Sequence, residues 1–175
     1  MLSWFDLKYQ SAIETVKQKA VVRRRTEIEE SYEISLIPSD RLTLVWEQCE
    51  KLLQKSCKRS NGRSTPQDVF YDCLNNRASL WIIFDTYTLD IIGCSITKIN
   101  QYPTGKRMLN IDHVTGKKMD KWADMGLKVI YNWAKANDCA GIEGVGREGF
   151  WNWIKTRENW KKTSVFFEYE FEENK

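Results

Sequence analysis

Residues 108–136 read MLNIDHVTGKKMDKWADMGLKVIYNWAKA, and their reading decides the fold. The first part, Met108 to Val114, alternates: Met108, Asn110 and Asp112 against Leu109, Ile111 and His113. Period two predicts a strand. The period then changes. Met119, Trp122, Ala123, Gly126, Ile130, Trp133 and Ala134 recur at helical spacing and predict a helix over Met119 to Ala136. Past it, Cys139 to Val145 reads as a short Gly-containing strand. A helix joining consecutive strands is a crossover, so the strands before and after it are expected to run parallel.

Working toward the N-terminus, Leu80 to Phe84 is an apolar run and Ile91 to Ile99 a second strand, with turn-like residues Asp85 to Asp90 between them. Tyr102-Pro103-Thr104-Gly105 has turn chemistry and leads into the strand at Met108. Short connections make the three strands an antiparallel meander. Before them, Thr65-Pro66 is an N-cap followed by Pro at the first helical position, with Val69, Phe70, Cys73 and Leu74 as the expected buried face. Asp40 is the expected cap of a helix reaching Cys57, with Leu42, Val45, Cys49, Leu52 and Leu53 as its stripe. Tyr32, Ile34 and Leu36 alternate as a short strand ended by Pro38. Ser3 to Val22 reads as a helix bearing Trp4, Phe5 and Tyr9, with a basic end at Arg23-Arg24-Arg25.

Working toward the C-terminus, Glu148 to about Thr156 reads as a helix carrying Trp151 and Trp153. Thr163 to Phe171 alternates, with Val165, Phe167, Tyr169 and Phe171 opposed to Phe166, Glu168 and Glu170, and reads as a strand. The fold class is therefore α/β (α+β): a mixed sheet with an antiparallel meander, a central crossover helix and an N-terminal helical extension. The expected division is an extension over 1–39 and a domain over 40–175.

Composition bounds the function. The 175 residues carry 27 Lys and Arg against 24 Asp and Glu. A net charge of +3 does not support nucleic-acid binding by the whole chain. Cys49, Cys57, Cys73, Cys94 and Cys139 are odd in number and lack any CxxC spacing, and His113 is the one histidine, so no zinc site is expected. Reduced thiols in a cytoplasm are the simplest reading. No secretory signal and no membrane-spanning apolar run is recognised.

The order of elements resembles the GNAT acetyltransferase fold over roughly residues 40 to 171. More narrowly, Leu80-Trp81-Ile82-Ile83, Thr97-Lys98-Ile99, Tyr102-Pro103, Gly116-Lys117-Lys118-Met119 and Gly146-Arg147-Glu148-Gly149-Phe150 resemble small GNAT-like proteins encoded among tailed-bacteriophage structural genes. That resemblance implies a virion location, with host cytoplasm during assembly, and partners among other phage virion proteins. Residues 1–39 are a candidate docking element.

GNAT enzymes hold the acetyl-CoA pyrophosphate in a Q/R-x-x-G-x-G/A loop that opens the central helix. The matching stretch here is His113-Val114-Thr115-Gly116-Lys117-Lys118-Met119, which keeps the first Gly and lacks the second. Gly116, Lys117, Lys118 and Met119 are the candidate cofactor-binding residues if acetyl-CoA binds. The family's general acid is a Tyr on the last helix, and Phe150-Trp151-Asn152-Trp153-Ile154-Lys155 has none. Candidate bases are Asp112, His113 and Glu143. Trp151, Trp153 and Trp160 form either a core or a binding platform. Gly144, Gly146 and Gly149 match a dinucleotide-loop spacing but follow the wrong strand for one. The expectation is a non-catalytic, GNAT-like protein acting by protein–protein contact, with no cofactor. Its alternatives are an acetyl-CoA-dependent N-acetyltransferase and a nucleic-acid-binding accessory protein.

Overall fold

The computed structural model describes residues 31–169 and residue 171. The helix expected over Ser3 to Val22 lies outside them. The chain divides into two compact units, one ending at Gly144 and the other beginning at Val145.

The first unit is built on a five-stranded sheet in the order β1-β2-β3-β4-β5. Its strands are β1 (Tyr32–Ile37), β2 (Ser79–Asp85), β3 (Ile91–Gln101), β4 (Arg107–Gly116) and β5 (Gly141–Glu143). The first four are antiparallel neighbours, and β4 pairs β5 in parallel. This is the meander and crossover that the sequence predicts. β1 falls inside the stretch read as an extension, yet it pairs along its whole length with β2, from Tyr32↔Asp85 to Ile37↔Leu80.

Two layers of helix cover the sheet. On one face lie a 3-10 segment (Ser39–Leu44), α1 (Trp46–Lys58) and α2 (Pro66–Leu74). They bury Leu42, Cys49, Leu53, Val69 and Cys73 against Leu80, Cys94 and Ile96 of the sheet. On the other face, α3 (Met119–Ala136) packs Ile130 and Ala134 on Trp81 and Leu109. Trp81 stands edge-on to Trp133 at 5.6 Å between ring centroids. Its indole N–H donates to Thr97 Oγ1 at 3.0 Å, which satisfies the one polar atom that ring brings into the core.

Two details differ from the periodic reading. Asp40 caps no helix. It lies inside the 3-10 segment, whose N-cap is Pro38, and α1 starts only at Trp46. The tighter i→i+3 spacing, with Arg41 N–H on Pro38 O, turns Leu42 into the core. Leu74 closes α2 but is 41% exposed, because the buried face of so short a helix is Val69 and Cys73. Thr65 does cap α2. Its Oγ1 accepts from Asp68 N–H, and the Asp68 carboxylate accepts from Thr65 N–H. That reciprocal pair is a capping box with Pro66 at the first turn.

In the second unit, α4 (Glu148–Ile154) is the described helix. The strand expected over Thr163 to Phe171 does not form: residues 160–169 have no strand pairing, and all of 161–169 are exposed. Alternation reports only that one side of a segment is apolar; a strand also needs a neighbour to hydrogen-bond.

Candidate functional site

β4 positions the candidate site, and a single irregularity decides which way its residues point. Ile96 pairs with His113 but the next residue, Thr97, pairs with Ile111. Asp112 is therefore an extra residue on β4, a β-bulge. Before the bulge, Leu109 packs toward α3. After it, His113 and Thr115 both meet α1 on the other face: His113 Nδ1 lies 2.8 Å from Ser56 Oγ, and Thr115 Oγ1 donates to Leu52 O at 3.1 Å. The sequence alternation set His113 with Leu109 and Ile111. The bulge moves it to the face of Asn110 and Asp112.

Bulged Asp112 anchors a charged cluster. Lys98 Nζ lies 2.8 Å from Asp112 Oδ2 and 3.0 Å from Asp72 Oδ2 on α2. Arg77 reaches Asp72 from the outside at 2.8 Å, and Asn110 donates to Asp112. Burial pulls the Lys98 ammonium down, but hydrogen bonds and charge from Asp112 and Asp72 outweigh it and hold it above its ordinary value. Burial pushes the Asp72 carboxyl up, and Lys98 with Arg77 overcomes that to hold it low.

His113 is held on both nitrogens, by Ser56 at Nδ1 and by Ser64 Oγ 3.3 Å from Nε2. Burial lowers its pKa, nearby Lys98 lowers it further, and Asp112 opposes them. It is a neutral imidazole at neutral pH, fixed between two hydroxyls that can each donate or accept.

The sheet opens next to this cluster. β4 and β5 pair through Met108↔Gly141, Leu109↔Ile142 and Asn110↔Glu143, where β5 ends. β4 continues to Gly116 with no strand on that side among the described residues. Glu143, at the fork, accepts from Asn100 Nδ2 at 2.7 Å and from the Tyr102 hydroxyl at 2.8 Å. That hydrogen bond, with the carboxylate charge, pushes the Tyr102 phenol up. The sequence marks Tyr102 as a turn residue and gives no sign of Asn100. The pairing of β3 on β4 and of β4 on β5 brings Asn100 to Glu143, and the turn that follows β3 brings Tyr102.

The candidate cofactor residues open α3. Lys117 and Lys118 are exposed, and Gly116 and Met119 are half-buried. Lys118 occupies the N-cap of α3 with φ 52, ψ 39, in the left-handed region. It stands where the resembling loop has its second Gly, so the backbone keeps a glycine-like conformation without the glycine. Gly116 has a packing role. A Cβ there would lie 2.7 Å from Gly93 Cα, 2.8 Å from Ile92 O and 2.9 Å from the Trp122 ring. The loop is also internally bonded: Lys117 N–H donates to Ile92 O at 2.8 Å, and the Trp122 indole donates to Lys117 O at 2.7 Å.

The remaining candidates are structural. Cys49, Cys57, Cys73 and Cys94 share the core beneath α1 and α2. Burial raises the Cys57 thiol, burial with the Asp72 charge pushes Cys73 up to about 12, and a hydrogen bond to Cys49 with burial raises Cys94. Such thiols are poor nucleophiles. Among the described residues no group of three His, Cys, Asp or Glu is placed to hold a metal. In the second unit, Trp151 and Trp160 are half-buried, and the Arg157 guanidinium covers the Trp153 ring at 3.7 Å, so these rings are no open platform. Gly146 lies against Phe150, where a Cβ would meet the ring at 3.0 Å.

No protein-family model and no curated protein sequence matches the chain. Solved structures do. A ribosomal-protein-alanine N-acetyltransferase from Brucella melitensis biovar Abortus 2308 superposes with a TM-score of 0.57 at 14% identity, over 81% of this chain and 99% of that one. An aminoglycoside acetyltransferase from an uncultured soil metagenomic sample, solved with trehalose, gives 0.60 at 12% identity, over 81% and 97%. A predicted acetyltransferase from Clostridium acetobutylicum, solved with acetyl-CoA, gives 0.57 at 15% identity, over 80% and 96%. The chain therefore has the GNAT acetyltransferase fold. At such identities the likeness shows the fold alone.

Proposed function

We propose that this chain is an acetyl-CoA-dependent N-acetyltransferase whose reaction centre is the fork between β4 and β5. The observation that carries this reading is the fork itself. Pairing stops at Asn110↔Glu143, with the carboxylate of Glu143 on one strand and bulged Asp112 on the other. Lys117 and Lys118 stand exposed at the first turn of the helix that follows β4. A pyrophosphate suits that turn in charge and in the helix dipole behind it. The left-handed Lys118 backbone suits it too, although Lys117 N–H is already committed to Ile92 O. Acetyl-CoA supplies the acyl group as a thioester. Glu143 is the base we assign to take the proton from the acceptor amine, directly or through one water, as the new C–N bond forms, the thioester C–S bond breaks and CoA leaves as a thiolate that takes its proton from water. Asn100 and Tyr102 orient it.

Isothermal calorimetry with acetyl-CoA tests the reading. Reversing both lysines (Lys117→Glu with Lys118→Glu) lowers affinity by roughly tenfold or more through lost charge at the phosphate. Glu143→Gln retains binding and loses acetyl transfer to a polyamine or peptide amine. Absence of acetyl-CoA binding to the wild-type chain sinks it. Gly116 variants do not serve, since a side chain there strikes Gly93 and Trp122 whether or not a ligand binds.

The second reading is a non-catalytic role through protein contacts in a phage particle, with residues 1–39 as the docking element. Two observations favour it: the Lys117–Ile92 hydrogen bond that closes the loop on itself, and the absence of a Tyr from Phe150–Lys155. Mass spectrometry of purified particles distinguishes it, because a chain missing from particles and assembly intermediates has no such role.

A further inference from the structure

The segment after α4 ends in a run of exposed apolar side chains. Val165 is 64% exposed, Phe166 67%, Phe167 87%, Tyr169 82% and Phe171 87%. Large apolar side chains exposed together in this way mark an interaction surface. The rings of Tyr169 and Phe171, two residues apart, meet edge-on at 5.4 Å on one side of the chain. The segment thus has the side-chain pattern of a strand and, among the described residues, no strand beside it.

The charges around it identify what suits that place. Lys161 and Lys162 precede the apolar run, and Glu172 and Glu173 follow it. We propose that residues 163–171 pair antiparallel with the same residues of a second copy, across a two-fold axis at Phe167. In that register residue positions sum to 334, so Lys161 faces Glu173 and Lys162 faces Glu172 at both ends of the ribbon. Val165 faces Tyr169, Thr163 faces Phe171 and Phe167 faces itself, all on one side. The sequence is self-complementary, as an isologous contact requires. A parallel pairing would set lysine on lysine and glutamate on glutamate. Lys162 lies 3.8 Å from Glu148 with both side chains largely exposed, which is too long for a hydrogen bond. The proposal goes beyond the acetyl-transfer reading and does not depend on it.

Sedimentation velocity on the full-length chain, across roughly a hundredfold range of concentration, tests it. The wild type is expected to shift from dimer to monomer on dilution. Phe167→Lys sets two like charges on the axis and raises the dimer dissociation constant by roughly tenfold or more. Lys161→Glu with Lys162→Glu, and separately Glu172→Lys with Glu173→Lys, each weaken self-association. Mixing these two variants restores a dimer, because every contact is then opposite in sign. Phe167→Cys cross-links to itself under mild oxidation. A wild type that stays monomeric over the whole range overturns the proposal, whatever else covers the patch. So does a dimer unchanged by both charge reversals, or a failure of Phe167→Cys to cross-link.

Discussion

His113 is the one histidine of the chain, and its environment makes a clean pH prediction. Burial between Ser56 and Ser64 lowers its pKa below the ordinary value of about 6.5. The unfolded chain therefore takes up a proton that the fold resists. Stability is complete above that ordinary value and falls as pH drops toward the lowered one. Thermal melts from about pH 7.5 to about pH 5 should show a falling midpoint in the wild type and a flatter profile in His113→Gln. Gly116 and Lys118 make a paired prediction. Gly116→Ala drives a Cβ into Gly93 and Trp122 and should cost about 1–3 kcal/mol. Lys118→Gly, two residues on, relieves a left-handed residue and should stabilise the chain by up to about 1 kcal/mol. Urea unfolding separates the two by sign. A sequence motif reveals that one glycine is kept and one lost. It does not reveal that the kept one serves packing, nor that the lost one leaves its backbone conformation behind.

Among the elements, those with a strong intrinsic period were legible. α3 spans Met119–Ala136 because its apolar positions repeat at helical spacing over five turns, enough for the stripe to fix both ends. The cap of α2 was legible too, since Thr65-Pro66 with Asp68 carries its own hydrogen-bond logic. Thr65→Ala should lower stability by about 1 kcal/mol in urea unfolding, by stripping Asp68 N–H of its acceptor. Local pattern failed where structure depended on a partner distant in sequence. Asp40 has the chemistry of a cap, but burying Leu42 takes a 3-10 turn there. Thr163 to Phe171 has the chemistry of a strand, but pairing is supplied by another backbone. The His113 face was misread for a similar reason, since only the register of β4 against β3 reveals a bulge.

At the scale of the molecule, the order of elements sufficed to identify the architecture, because few topologies join a meander, a crossover helix and a fifth parallel strand. The candidate site was half legible: Glu143, Asp112 and the lysine pair were visible as residues, while Asn100, Tyr102, Ser56 and Ser64 enter through tertiary contact alone. If acetyl-CoA binds the folded chain and not the unfolded one, saturating it a hundredfold above its Kd should raise stability by about 2.7 kcal/mol, readable as an upward shift in Tm. The bulge at Asp112 also takes up one residue of β4 without disturbing the pairing on either side of it. With the extra residue in place, Gly116 turns toward Trp122, where only hydrogen fits, and Thr115 turns toward Leu52. Delete Asp112, and Ile111 and His113, which already pair with the adjacent Thr97 and Ile96, become consecutive, so the ladder turns regular with its faces unchanged; delete Val114 instead, and Thr115 would be driven at the indole, Gly116 would face α1, and α3 would start from the wrong side of its strand. Length past the bulge is thus more tightly constrained than at it, and a deletion of Val114 should do more harm than a deletion of Asp112.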